Sequence, residues 1–273
     1  MKTRILVAVI AIPILVLIIF FAPVWVLGAV VGIIAACAAW EFLRCTEMDI
    51  KKRMLVYAAV ASFCIPLGGT LLPADKVYET VLFLLFAVMF CELMLSFRKE
   101  TTMDFETVAV MLLAGGVMPI LLAAIVRLDA REHGSVYALL PFIAAFSSDS
   151  GAYFAGTFLG KHKLTPRLSP HKTIEGSIGG FLSGIVLMLI YGLVLKAAEF
   201  EVNFAVLAVY GFLGSLACQL GDLSFSAVKR LCGVKDYGNL IPGHGGMLDR
   251  FDSMFWTAAL IEILVTWVPA IAK

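Results

Sequence analysis

The sequence predicts an all-α integral membrane protein, a polytopic bundle of about nine transmembrane helices with its N-terminus in the cytoplasm. Three observations carry this expectation. The 273 residues are 61% hydrophobic and only 15% charged, against about 45–50% apolar and about 25% charged in soluble domains, and mean hydropathy is +0.97. The apolar residues gather into runs close to the ~20 residues that a helix needs to cross a bilayer. Between the runs, Lys and Arg collect on alternate connections, as cytoplasmic loops do.

Taken in order, Met1-Lys2-Thr3-Arg4 precedes an apolar run ending at Ala22. No A-x-A-like cleavage site follows and a second run starts at Val24, so a retained helix is expected rather than a signal peptide. Spans are predicted near 5–22, 24–40, 54–72, 77–95, 107–127, 137–160, 176–197, 203–228 and 252–271. With the N-terminus inside, the cytoplasmic connections hold Arg44, Lys51, Lys52 and Arg53; Arg98 and Lys99; Lys161, Lys163, Arg167 and Lys172; and Lys229, Arg230, Lys235 and Arg250. Topology alone explains the basic residues of 41–53. An odd number of helices leaves the C-terminus outside. Residues 1–135 are expected to be structural or lipid-facing helices, and 136–273 to carry the chemistry on cytoplasmic loops 161–175 and 229–250. A net charge of +1 gives no reason to expect a nucleic-acid partner. The six cysteines form no C-x-x-C pair and mostly sit in apolar runs, as small core residues do.

Two segments contain more than orientation requires. In S-S-D-S-G-A-Y-F-A-G-T-F-L-G, Asp149 lies within an apolar helix and shares its face with Gly156 and Gly160, with Ala152 and Tyr153 beside it. A carboxylate at membrane depth costs about 2.5–3.5 kcal/mol on insertion scales and marks a functional position or a hydrogen bond to a neighbouring helix. Beyond it come Lys161, His162, Lys163 and Arg167, then Ser169-Pro170-His171-Lys172-Thr173 with Glu175 ahead of Gly176. Basic groups, hydroxyls and a helix N-terminus suit an anion, whether a bound phosphate or an anionic lipid headgroup.

The second segment runs from Gln219 to Asp252. Asp222, Ser226 and Lys229 recur at i, i+4 and i+7, so an unbroken helix carries them on one face. Gly243-His244-Gly245-Gly246 brings backbone N–H groups within reach of a ligand. Asp249 and Asp252 open the last helix, where an N-terminal acid stabilises by ~0.5–2 kcal/mol without any chemistry. Together the two segments supply carboxylates for a cation and Lys and Arg for phosphates, the set that phosphoryl or nucleotidyl transfer needs. G-x-S-x-G, H-E-x-x-H and Walker A patterns are absent, and His133, His162, His171 and His244 are too dispersed for a zinc cluster.

The stretch S-A-V-K-R-L-C-G-V-K-D-Y-G-N-L-I-P-G-H-G-G-M-L-D-R-F-D, Ser226 to Asp252, resembles the signature of the phosphatidate cytidylyltransferases, or CDP-diacylglycerol synthases. Lys229, Arg230, Lys235, Asp236, Gly238, Pro242, His244, Gly245, Gly246, Asp249, Arg250 and Asp252 match it, and D-S-G-A-Y-F-A-G with S-P-H-K-T-I-E-G extends the resemblance over most of 147–252. Before about residue 140 the likeness is one of hydrophobicity only. Ile174 and His171 depart from the pattern, at positions where an aromatic residue and a second Lys are usual.

The resemblance implies that CTP and phosphatidate form CDP-diacylglycerol and pyrophosphate in phospholipid biosynthesis, with Mg2+, alone or beside a second cation. It implies metal-binding carboxylates at Asp222 and Asp249, with Asp149 and Asp252 as further candidates. Lys229 and Arg250 join Asp222 and Asp249 as the expected catalytic groups. Ser169, Lys172, Thr173, Glu175, Ser226, Arg230, Lys235, Asp236, His244, Gly245 and Gly246 are the expected substrate-binding residues. The expected location is the inner membrane of a bacterium, among membrane lipids, with the site on the cytoplasmic face. A CTP-dependent polyprenol or phytol kinase, or a transporter of an anionic ligand, is the rival reading. Small-residue stripes at Gly28 and Gly32 and at Gly176, Gly180 and Gly184 allow close helix contact, in a homodimer or within one chain.

Overall fold

The computed structural model describes residues 13–46, 48–97, 103–240 and 245–272. The chain divides into two compact units, one of residues up to Glu132 together with Cys232–Phe251, the other of His133–Leu231 with Asp252 onward.

The first unit contains α1 (Val24–Cys45), α2 (Lys52–Leu71), α3 (Ala74–Ser96) and α4 (Phe105–Asp129). Residues 13–21 ahead of α1 are helical, and the remainder of the predicted first span lies outside the described residues. The glycines set the closest approach. A Cβ on Gly28 would stand 3.2 Å from the Pro66 carbonyl oxygen, and one on Gly32 2.8 Å from that of Phe63. The Gly28/Gly32 stripe is therefore filled by α2 of the same chain. In α4 the repeat widens to a π-turn at Leu113–Val117, around Gly115, whose Cβ would meet the Ala58 backbone at 3.0 Å. Ala38, Ala39, Ala58, Ile65, Met89 and Met111 are fully buried between these helices. Much of α3 faces outward, with Phe83, Leu84 and Phe86 exposed, as expected of a surface solvated by lipid.

The second unit contains α5 (Gly134–Leu159), the antiparallel hairpin of β1 (Lys163–Thr165) and β2 (Ser169–Thr173), α6 (Ile174–Ala197), and α7 (Phe204–Leu231). A two-residue ribbon, β3 (Glu201–Val202) on β4 (Ile271–Ala272), ties the other end of α6 to the chain's last residues. Helix α8 (Leu248–Trp267) starts in the first unit and continues in the second. Helices α5, α6 and α7 touch backbone to backbone. A Cβ on Gly179 would lie 2.9 Å from the Gly151 carbonyl oxygen, and one on Gly211 2.6 Å from that of Gly184. The Gly176/Gly180/Gly184 stripe is likewise used inside the chain, against Ala152, Ser148 and Gly211.

All-α architecture holds, with the predicted loop 161–175 folded as the hairpin. Six of the long helices among the described residues are apolar enough to cross a membrane. Helices α5 and α8, 26 and 20 residues long, reach about 39 and about 30 Å at 1.5 Å per residue. Their polar residues, Ser147 to Ser150 and Asp249 to Ser253, set them apart from those six. Helix α1 runs to Cys45, past its predicted end at residue 40. The expected catalytic loop 229–250 does not stay with the C-terminal helices throughout: Cys232–Phe251 packs in the first unit. There Tyr237 meets Phe42, with ring centroids 6.3 Å apart, and Cys232 Sγ lies 3.4 Å from Cys45 Sγ.

Candidate active site

In the second unit, the C-terminal half of α5, the hairpin, the first turn of α6 and α7 enclose a cavity of about 290 Å³. Asp149 and Tyr153 reach it from α5, Lys172 from β2, and Gln219 and Asp222 from α7. Helical periodicity explains the α5 contribution, since Asp149, Ala152, Tyr153 and Gly156 all line this one cavity. Lys172 Nζ stands 2.6 Å from Asp222 Oδ2. One turn along α7, Ser226 Oγ donates to Asp222 Oδ1 at 3.2 Å, as their spacing predicts. Cys218 Sγ donates to Asp149 Oδ1 at 3.4 Å. The lining thus combines two carboxylates with one ammonium, and a charge excess of that sign favours a cation or a cation-bearing ligand.

The hairpin holds this lining in place by local bonds. Thr173 is the N-cap of α6, its buried Oγ1 accepting from Gly176 N at 3.1 Å. Glu175 folds back over the loop and accepts from Lys161 N at 3.1 Å and His162 N at 3.2 Å, with His162 Nδ1 at 2.6 Å. Both residues are expected at the substrate; Thr173 lines the cavity, and the hydrogen bonds of both shape the turn that presents Lys172. Arg230 Nε donates to the Leu168 carbonyl at 3.4 Å and so joins the end of α7 to the hairpin. Ser169 is half-buried at the start of β2. Further into the unit, Lys229 Nζ lies 4.0 Å from Asp252 Oδ2, both side chains largely buried. Asp252 Oδ1 accepts from Ser253 N at 2.7 Å.

The remaining signature residues belong to the first unit. Lys235 and Asp236 are exposed beyond Gly233, whose φ is +67°. His244 lies outside the described residues, as do Pro242 and Gly243. Gly245 has φ +82°, a left-handed conformation that favours glycine. Asp249 Oδ2 accepts from both Tyr237 N and Gly246 N at 2.9 Å, so this carboxylate binds two backbone segments of its own loop together. Arg250 is exposed one residue further on. The sequence-derived set is therefore split: Asp149, Lys172, Thr173 and Asp222 share one cavity, while Asp249, Gly245 and Gly246 share a turn of the other unit.

Among the described residues no three carboxylate, imidazole or thiol groups cluster as a protein-only metal centre. Asp149 and Asp222 on one cavity nevertheless fit magnesium, which is held by one or two carboxylates, keeps several waters and takes further oxygens from substrate phosphates.

Two participants escape sequence reasoning. Gln219 bridges α7 to α6, its Nε2 donating to the Ser177 carbonyl at 3.1 Å while its Oε1 accepts from Ser177 Oγ. Its signal was present, one helical turn before Asp222. Glu41 is the other: it lies buried at the end of α1 and accepts from Met247 N and Leu248 N at 3.0 and 2.8 Å. Its only mark in the sequence is an acid at the edge of an apolar run, and the loop reading of 41–53 passed over it.

The sequence pattern of the cytidylyltransferase family matches residues 2–268. The chain is 34% identical over 270 residues to a protein of Staphylococcus aureus strain COL named phosphatidate cytidylyltransferase, covering 97% of this chain and 99% of the relative. It is 32% identical, with the same coverage, to the protein of that name from Staphylococcus haemolyticus strain JCSC1435.

Proposed function

The chain belongs to the cytidylyltransferase family, and on that premise we propose that it transfers a cytidylyl group from CTP to phosphatidate, giving CDP-diacylglycerol and pyrophosphate for phospholipid biosynthesis. The observation that carries this reading is the cavity in which Asp149, Lys172 and Asp222 meet. Exposed apolar side chains of α5, among them Phe154 and Phe158, follow Asp149 and Tyr153 along the same helix. A lipid held by its acyl chains can bring its phosphate to such a place, and a soluble triphosphate can meet it from the aqueous side.

In the proposed reaction an oxygen of the phosphatidate phosphate attacks the α-phosphorus of CTP. A new P–O bond forms, the bond to the β-phosphate breaks, and pyrophosphate leaves. The attacking group is already anionic at neutral pH, so no general base is required. Magnesium, when bound, would offset charge on the triphosphate and on the leaving pyrophosphate. Asp222 and Asp149 are the carboxylates of the cavity suited to it, and Asp249 keeps the metal role that the family resemblance implies. Lys172 supplies an ammonium that would draw a phosphate into the cavity beside Asp222, while Ser226 fixes the carboxylate's rotamer through its hydrogen bond. Arg250 and Lys235, both exposed, are proposed as phosphate ligands from the aqueous side. The working location is the inner membrane of a bacterium with the site facing the cytoplasm. A homodimer would have to use faces other than the glycine stripes already packed within the chain.

The test is direct. Purified protein in detergent, given CTP, phosphatidate and Mg2+, is expected to release pyrophosphate and form a CDP-lipid, and EDTA is expected to abolish both. Asp222→Asn and Asp249→Asn should lose turnover while remaining folded; wild-type rates in either would remove it from the metal assignment. CDP and a phosphorylated alcohol as products would establish the kinase reading instead.

A further inference from the structure

The first backbone N–H groups of a helix lack intrahelical acceptors and are ordinarily satisfied by a Ser, Thr, Asp or Asn just before the helix. Helix α8 begins at Leu248, and the residue before it is Met247, whose side chain cannot serve. The acceptor comes instead from 206 positions away: Glu41 Oε1 accepts from Met247 N at 3.0 Å and Oε2 from Leu248 N at 2.8 Å. A carboxylate at this end also opposes the positive pole of the helix dipole.

The glycines around it fit the same purpose. A Cβ on Gly246 would lie 2.7 Å from Glu41 Cδ, and one on Gly238 2.7 Å from Glu41 Oε1. The carboxyl group therefore fills the space that both glycines leave open. Neighbouring positions of α1 continue the contact, Phe42 against Tyr237 and Cys45 beside Cys232. Asp249 completes the arrangement from the other side by accepting from Tyr237 N and Gly246 N.

We propose that Glu41 is a positioning residue for nucleotide binding: it fixes the 245–249 turn, and through it the direction of Asp249 and Arg250, by taking the place of an N-cap. This rests on the reading that the signature loop binds CTP. It gives Gly246 a second purpose, since the missing side chain admits a carboxylate of the protein rather than a phosphate of the ligand. It also gives α1, which has no counterpart in the signature, a part in the reaction.

The experiment uses full-length Glu41→Gln, which keeps the shape but points an amide donor at one of the two N–H groups, alongside Glu41→Ala, Gly246→Ala and the double variant Glu41→Ala/Gly246→Ala. Amide hydrogen exchange in detergent should accelerate about tenfold or more at Met247 and Leu248 in Glu41→Gln, the effect of losing a hydrogen bond to a charged acceptor, with the peptides of α5 and α6 unchanged. The KM for CTP should rise by a similar factor while the KM for phosphatidate stays at the wild-type value. Gly246→Ala alone should be as damaging as Glu41→Ala, and the double variant no worse than either, because the Cβ then enters the vacated space. A Glu41→Gln protein with wild-type exchange at 247–248, or one that loses only active protein with both KM values unchanged, overturns the proposal. Should wild-type protein form no CDP-lipid, the function reading fails, and the exchange result still decides whether Glu41 holds the turn.

Discussion

Lys172 and Asp222 form the contact on which the proposed chemistry turns. Their side chains are 25% and 32% exposed, so the pair contributes about 1 kcal/mol or less to stability, and its value in the proposed reaction lies in placing an ammonium beside the carboxylate proposed to hold the cation. Lys172→Ala is therefore expected to lower kcat about 100-fold or more, the usual cost of removing one preorganised charge from a transition state, with little change in melting temperature. Lys229 and Asp252 behave oppositely. At 13% and 11% exposure, removal of one partner leaves a buried charge poorly compensated, at a cost of about 3–5 kcal/mol. Lys229→Ala should show a lowered melting temperature in detergent; a variant that melts like wild type yet is inactive would support the catalytic role that the family resemblance implies for Lys229. The spacing of Asp222, Ser226 and Lys229 was legible because one helix fixes it. The meeting of Lys172 with Asp222 was not, since two elements must pack before the distance exists.

Helices α5, α6 and α7 approach so closely that glycine carbonyls lie where side chains would otherwise be. Gly211 illustrates the constraint: a Cβ there would sit 2.7 Å from Ile185 Cα as well as against the Gly184 carbonyl. Gly211→Val is expected to separate α6 from α7 and destabilise the protein by about 1–3 kcal/mol or more, read as a lower melting temperature and a smaller monodisperse fraction in detergent. Because Gln219 ties α7 to Ser177 on α6, the same substitution should disturb the cavity and reduce turnover in whatever protein still folds. The helices themselves were readable from run length and period. The hairpin is not legible in the sequence, because its strands are held by a register and by Glu175 folding back, neither of which leaves a hydrophobic pattern.

At the scale of the whole molecule, the enzyme reading expects 161–175 and 233–250 to face the same aqueous phase. In a background without native cysteines, Ser169→Cys and Lys235→Cys should both react with a membrane-impermeant thiol reagent in inside-out vesicles and neither in right-side-out ones. Opposite labelling of the two would separate the hairpin from the signature loop and remove the basis of the enzyme reading. The division of the chain also differs from what composition suggests, since Cys232–Phe251 folds with the N-terminal helices through Glu41, Phe42 and Cys45.

The sequence by itself determined the class of protein, the order of its long helices among the described residues, and the spacing of the signature residues. Each of these depends on local quantities: the length of an apolar run, the 3.6-residue period, and the bias of basic residues between runs. Only the tertiary structure decided that Lys172 faces Asp222 and that Glu41 closes the turn before Asp249. The physical reason is that lipid tails are as apolar as a helix face. In such a chain, the residues that pack against protein and those that face the bilayer read alike, and the partners of the few polar groups are fixed only when glycine-lined backbones come into contact.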